Sequence, residues 1–271
     1  MRLLDKMNDI TKPLGIRRNI SFIIARIKLA FKENIEYKVN LYSAIAINLV
    51  MILVALLFFS VYIKFSGVVL NWSYTDFILY SFIVLAGSKA HYLFAIRSFK
   101  TQLLKGHLNN GLIRPVNPYI FHSMFYLMGP VLIIFPFLLF IIYSMLIYYS
   151  YTNVFFFTIF FIFAFFYCSF FYSFFGSLAF FIKENDFLVS TANSLNNVVE
   201  VYTPKMFQSV STTYIYIFPS AIFGFLSIEL LKGNATLLLK LLPYIIATFF
   251  IMIISIYFIW KIGLKRYEAF G

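Results

Sequence analysis

The stretch Leu103–Phe121 reads LLKGHLNNGLIRPVNPYIF. It is short, basic and punctuated by Gly and Pro. It separates two long hydrophobic runs in a chain that is 62% hydrophobic and 22% aromatic. Gly106, Asn109, Asn110 and Gly111 are helix-end and turn residues, while Pro115 and Pro118 stop a helix and aim the chain into the next apolar run. A connector without a task needs only a few polar residues. This one has enough sequence for one short helix with a defined start and stop, and Lys105 and Arg114 carry charge that can pair with acids on a partner. It reads as a docking surface.

The surroundings of that stretch decide the fold class. Only 12% of the 271 residues are charged, against about 25% in soluble domains, and apolar runs of membrane-spanning length recur. The chain reads as an all-α integral membrane protein. Its net charge of +12 is not a nucleic-acid signature, because the positive residues are not spread over one face: nine of the 22 Lys and Arg lie in 1–40, four in 97–118, two in 183–208 and three in 261–271. Basic and non-basic connections alternate, which is the positive-inside pattern. It puts both termini in the cytoplasm, requires an even number of crossings and implies contact with anionic membrane lipids.

Three regions follow. Residues 1–40 are a cytoplasmic N-terminus with an interfacial helix, 41–260 a transmembrane domain whose loop 97–118 is cytoplasmic, and 261–271 a cytoplasmic tail. The polar, basic N-terminus shows no cleavable signal, so the first span is expected to stay as an anchor. A lone cysteine, Cys168, excludes an internal disulfide and a thiolate metal site.

Within 17–38, Ile20, Ile23, Ile24, Ile27, Phe31 and Ile35 recur at helical spacing opposite Ser21, Lys28, Lys32 and Glu36, with Phe22 and Leu29 as exceptions. Such a helix lies in the membrane interface. Spans are expected at about 41–63, 75–96, 119–149, 154–182 and 241–260. The third is long enough to need kinks at Gly129, Pro130 and Pro136. The remaining crossing has two readings. Either 209–228 crosses, or 187–203 crosses as a more polar helix and 205–228, broken at Pro204 and Pro219, dips back from the outer surface. Six spans result either way.

Catalytic chemistry is missing from the pattern. Gly106 and Gly111 have the outer spacing of a phosphate loop, but Leu112 and Ile113 stand where Lys and Ser or Thr are required. His91, His107 and His122 are too far apart for one helix face, so no metal site is expected, and Asp occurs only at positions 5, 9, 76 and 186. Ionisable and polar residues inside apolar runs are instead candidate cavity-lining groups: Lys89, His91, Asn193, Asn197 and Glu200. An ATP-independent transporter or channel, or a non-transporting scaffold, is compatible with these residues alone.

The run from Gly106 and Leu108 through Gly111, Leu112, Ile113, Arg114, Pro115, Val116, Asn117 and Pro118 resembles the loop after the second span of ABC-2 type permeases. It is most similar to the bacterial group known as ABC-2 family transporter proteins. Trp260, the run Gly263–Glu268 (GLKRYE) and the terminal Gly271 resemble the end of that group, and Tyr202, Thr203 and Pro204 its Tyr-x-Pro. Asn109 or Asn110 stands where the group often carries Asp, which removes a charge from the docking contact.

The resemblance implies the membrane half of an export-type ABC transporter in a prokaryotic cytoplasmic membrane. It implies six spans, an N-terminal interfacial helix, a coupling helix between spans two and three and a re-entrant outer segment before the last span. A second permease, identical or related, would complete the path. Separate ATPase chains would bind ATP and Mg, so no cofactor belongs to this chain. Lys105, Gly106, Leu108, Leu112, Arg114 and Pro115 become the expected ATPase-docking residues, and the substrate a hydrophobic or amphipathic compound.

Overall fold

A computed structural model describes residues 16–66, 72–94, 103, 105–125, 131–148, 150–182, 185–201 and 216–267. Among these, every regular element is helical and no strand occurs. Helix α1 is Ile16–Glu36, α2 Lys38–Ser66, α3 Tyr74–Phe94, α4 Leu108–Leu112, α5 Pro118–Phe125, α6 Val131–Tyr148 and α7 Tyr151–Ser177. Then come α8 Asn185–Val201, a wide π-type segment Ala221–Leu226 that runs into α9 Ser227–Leu231, and α10 Ala235–Arg266. The stretches 151–180 and 235–266 are long and apolar enough to cross a membrane, and shorter apolar stretches lie at 45–58, 75–87, 137–147 and 221–231.

Three Ser and Thr hydroxyls inside these apolar helices are satisfied within their own helix. Ser81 donates to the Phe77 carbonyl at 2.9 Å, Thr158 to Val154 at 2.8 Å and Ser169 to Phe165 at 3.0 Å. Such bonds to the preceding turn let Ser and Thr sit in a medium with no water to bond them. On the outside the reverse holds. Helix α2 leaves Ile47, Val50, Met51, Val54, Leu57 and Phe58 exposed, a face that suits lipid and not water.

Helix α3 is the enclosed centre, with Phe77, Leu79, Tyr80, Ile83, Val84 and Ala86 buried between α2, α6 and α7. Its first turn is fixed by a capping box: the Ser73 N–H donates to Asp76 Oδ2 at 2.7 Å, and the Asp76 N–H to Ser73 Oγ at 3.3 Å. Contacts along its length set the direction of its neighbours. The 229–231 turn meets both Trp72, just before α3, and Asn153, in the first turn of α7. Further along, the Cys168 thiol of α7 faces the Gly87 carbonyl of α3. Phe249 of α10 packs on Phe163, Tyr167 and Phe170 of α7, and Trp260 reaches Ser177 at the end of α7. Helices α3, α7 and α10 are therefore parallel.

Helix α8 runs the opposite way. Asn185 Nδ2 donates to the Gly176 carbonyl, near the end of α7, at 3.0 Å. At the other end of α8, the Val199 carbonyl accepts from the Tyr80 hydroxyl at 3.3 Å, in the first half of α3. Between these points Asn196 holds the segment after it: its Oδ1 accepts from the Ser220 N–H at 2.9 Å, and its carbonyl from Ser220 Oγ at 3.0 Å. The following segment passes close to α3. A Cβ on Gly224 would lie 2.5 Å from the Tyr80 ring and 2.8 Å from Val84, so the approach requires glycine. The segment then climbs to Glu229, beside Trp72.

One sequence expectation changes in detail. Asn109, Asn110 and Gly111 lie inside the short α4 and do not end it; the chain bends after it, at 114–116. Pro136 lies within the continuous helix α6, and the expected kink at Gly129 and Pro130 lies outside the described residues, as does Tyr202–Pro204.

Candidate functional site

The loop Lys105–Asn117 is built on one inward anchor. Gly106 takes a φ of +68°, which turns the chain into α4 where an L side chain would be strained. Leu108 then points inward with 0% exposure and packs with Ile256 and Trp260 of α10. Leu103, Leu112, Tyr119, Phe180, Leu264 and Tyr267 border that cluster. Gly111 is a close approach: a Cβ there would lie 2.5 Å from His122 Nε2. Tyr267 closes the cluster beyond the last turn of α10. Its hydroxyl is buried without a hydrogen-bond partner among the described residues, and burial pushes the phenol pKa up.

The end of the loop is equally determined. Asn117 Oδ1 accepts from the Tyr119 N–H at 2.9 Å and Pro118 occupies the first position of α5, so the Asn-Pro pair is an N-cap followed by a pre-set first turn. The Asn117 N–H in turn donates to Asn19 Oδ1 of α1 at 3.1 Å. Helix α1 continues along α5: Phe22 meets Phe121 with centroids 5.7 Å apart, Arg26 Nε donates to the Met124 carbonyl at 3.4 Å, and Ala30 is buried beside Met124. Phe22, an exception to the expected stripe, is thus a protein contact, while Ile16, Ile20, Ile24 and Ile35 stay exposed.

What remains on the outside of the loop is polar, basic and topped by one apolar side chain. Lys105, His107, Asn109, Asn110, Arg114 and Pro115 are exposed, and Ile113 is 82% exposed. The Arg114 guanidinium sits 5.3 Å from the centre of the Phe121 ring, which fixes its direction by a cation–π contact. No acidic residue occurs in the sequence between Asp76 and Glu184, so nothing nearby in the chain offsets the charge of Lys105 and Arg114. Of the expected docking residues, Lys105, Arg114 and Pro115 face out, Leu112 is half-buried, and Leu108 is spent on the core. Ile113 was passed over because its neighbours Leu108 and Leu112 share its chemistry and only packing separates inward from outward.

Of the expected cavity-lining residues, Asn193 is half-buried and Asn197 exposed, one helical turn apart on α8. The side chains of Lys89, His91 and Glu200 lie outside the described residues. The buried asparagines of α8 are Asn185, which bonds the end of α7, and Asn196, which holds Ser220.

A second polar cluster closes the opposite end of the molecule. Lys232 Nζ pairs with Asp76 Oδ2 at 2.9 Å, Trp72 Nε1 donates to Glu229 Oε1 at 3.0 Å, Asn234 Nδ2 to Glu229 Oε2 at 3.3 Å, and Asn153 Nδ2 to the Leu231 carbonyl at 3.0 Å. The sequence signal for it was present but dispersed, as single charges at the ends of apolar runs on the non-basic side. Among the described residues no group of His, Cys, Asp and Glu could hold a metal ion.

A family model described as ABC-2 family transporter protein matches residues 49–271. No curated protein and no solved structure matches the chain. Proteins of this family are membrane permeases, in general non-catalytic, that work with ABC ATPase partners. The match takes in the loop, the parallel helices α3, α7 and α10 and the tail that closes the Leu108 cluster. The chain belongs to the ABC-2 family of transporter proteins.

Proposed function

We propose that this chain is the six-span permease subunit of an exporter for hydrophobic or amphipathic compounds, driven by ATPase subunits that bind ATP and Mg and dock on the loop around Gly106–Arg114. The observation that carries the reading is the division of charge between the two ends of the helix bundle. The loop with Lys105 and Arg114, the α1 helix with Arg17, Arg18 and Arg26, and the last turn of α10 with Lys265 and Arg266 belong to one end. The other end carries Asp76, Glu229 and Lys232. By the positive-inside rule the first end is cytoplasmic, in the membrane of a prokaryotic cell, with both termini inside and α1 along anionic lipid headgroups.

The same directions support α8 as the fifth crossing. It starts beside the cytoplasmic end of α7 and reaches Tyr80 in the outer half of α3. The segment from Pro219 to Leu231 has room for about 20 Å of helix, short of the ~30 Å hydrocarbon core, and its far end meets Trp72. It behaves as a re-entrant piece that enters and leaves by the outer face. Asn193 and Asn197, and with them Lys89, His91 and Glu200, then border the path between this permease and a second, identical or related one.

On the cytoplasmic side, Ile113 inserts into the ATPase while Lys105 and Arg114 pair with its acids. The loop cannot absorb the displacement when two ATPase subunits close on nucleotide, because Leu108 and the Asn117 cap fasten it at both ends. The test is co-purification from native membranes in mild detergent. An ABC ATPase retained in stoichiometric amount, and lost on Ile113→Asp with the permease still folded, is the expected result. A chain that transports with no ATPase bound overturns the proposal.

A further inference from the structure

We infer that α10 is the rod by which the cytoplasmic loop controls a polar latch at the outer face, and that opening this latch, Asp76–Lys232 with Trp72–Glu229, frees the re-entrant segment. The inference rests on the permease reading above and adds the route and the gate. Its first element is the lower end of the rod. Leu108, the inward anchor of the loop, packs on Ile256 and Trp260 of α10, Trp260 Nε1 donates to Ser177 Oγ at 2.9 Å, and Tyr119 and Phe180 meet the same indole edge-on at 5.4 and 5.2 Å. The loop therefore pushes on α10 by direct contact.

The second element is the upper end. Helix α9 stops in a Schellman turn: Gly233 takes a φ of +80°, its N–H donates to the Leu230 carbonyl at 3.0 Å, and the Asn234 N–H to the Glu229 carbonyl at 2.8 Å. Helix α10 begins at Ala235, so no slack separates the rod from the residues that carry the latch. Pro243 removes a backbone donor only in the outer part of α10, and the helix continues below it to Arg266.

The third element is the latch. Asp76 is 3% and Glu229 5% exposed, and both are bonded across to the other element, so they tie α9 to the start of α3 through charge-assisted bonds. Further along, Phe223 lies against Gly87 and Gly224 against the Tyr80 ring, and such apolar surfaces slide without breaking a bond. Lys232 is at the solvent edge, its side chain 23% exposed, and can be rehydrated as it leaves. Within the segment, Ala221–Leu226 is π-wound, a geometry that tightens to an α-helix by displacing one residue. A shift of the rod is thus taken up at the latch.

The chain has two tryptophans, one at each end of this route, so each end carries its own probe. The permease, labelled with 5-fluorotryptophan, is reconstituted with unlabelled ATPase in nanodiscs of phosphatidylethanolamine and phosphatidylglycerol, with Trp72→Phe and Trp260→Phe assigning the two fluorine resonances. Trapping the ATPase with ATP and vanadate is expected to shift both. Asp76→Asn keeps an acceptor for the Ser73 N–H and removes the charge, so with no nucleotide it moves the Trp72 resonance to the trapped position and leaves that of Trp260 in place. Lys232→Met does the same from the other partner, and the exchanged pair Asp76→Lys with Lys232→Asp returns it. Leu108→Ala leaves the ATPase bound and abolishes the response of Trp72. An ATPase that binds and shifts Trp260 but not Trp72 overturns the rod, and an unmoved Trp72 in Asp76→Asn and Lys232→Met overturns the latch. An ATPase that does not bind at all overturns the permease reading itself.

Discussion

Leu108 and Ile113 are chemically similar, five positions apart on one loop, and the structure assigns them opposite tasks. Leu108 has no exposed surface and lies against Ile256 and Trp260, whereas Ile113 is 82% exposed. Truncating Leu108 to Ala leaves a cavity between the loop and α10. Leu→Ala changes at fully buried sites cost about 2–5 kcal/mol, and for a chain of this size each kcal/mol is worth roughly 2–4 °C. The expected loss is on the order of 10 °C in apparent melting temperature. Truncating Ile113 removes a side chain that already faces outward, so the shift stays within about 0.5 kcal/mol, or ~2 °C.

The assay is monodispersity by size-exclusion chromatography after heating in detergent, all variants scanned at one rate because unfolding there is governed by kinetics. ATPase binding should show the opposite order. Ile113→Ala removes about 2 kcal/mol of burial from the complex, a roughly 30-fold loss of affinity, while Leu108→Ala at low temperature loses little. Equal thermal losses in the two variants, or a stable Leu108→Ala, would refute the inward and outward assignment.

Three further outcomes follow from the same geometry. Gly224→Ala places a methyl 2.5 Å from the Tyr80 ring and should cost about 1–3 kcal/mol by overpacking, read as faster hydrogen exchange over 219–231 with α7 unaffected. Asn117→Ala removes the side-chain cap of α5, for a loss of about 1 kcal/mol, and so loosens the backbone whose N–H holds Asn19 of α1; proteolysis within α1 should accelerate, and Asn117→Asp should restore protection. Because Lys105 and Arg114 are exposed and unopposed by acids nearby in the sequence, ATPase association should slow as salt rises from 0.05 to 0.5 M, and an association rate independent of salt would show that the loop charges take no part.

Much of this was legible in the residues. Glycine, proline and charge marked the loop, since turns and positive-inside placement depend on local chemistry, but Pro118, expected to stop a helix, occupies the first position of α5 behind the Asn117 cap. Alternatives at α8 stayed open because Asn193, Asn196, Asn197 and Glu200 give the same hydropathy whether they meet water, a cavity or another helix. The bond from Ser220 to Asn196 is a contact across 24 residues, and no local pattern encodes it. Phe22 shows the same limit on α1. A helical wheel reports that a side chain is apolar, but not whether lipid or α5 covers it. The outer latch escaped notice because its partners are distant, with Asp76 and Lys232 separated by 156 positions.

The claim that Ile113 is a cytoplasmic anchor for an ATPase can be tested with one labelled cysteine. Cys168 is buried, so Cys168→Ser with Ile113→Cys leaves a single thiol at the exposed tip of the loop. A membrane-impermeant maleimide should label it in inside-out vesicles, fail to label it in intact cells, and lose access when the ATPase is added. Labelling from the outside would invert the topology, and labelling undiminished by a bound ATPase would remove this loop from the docking surface.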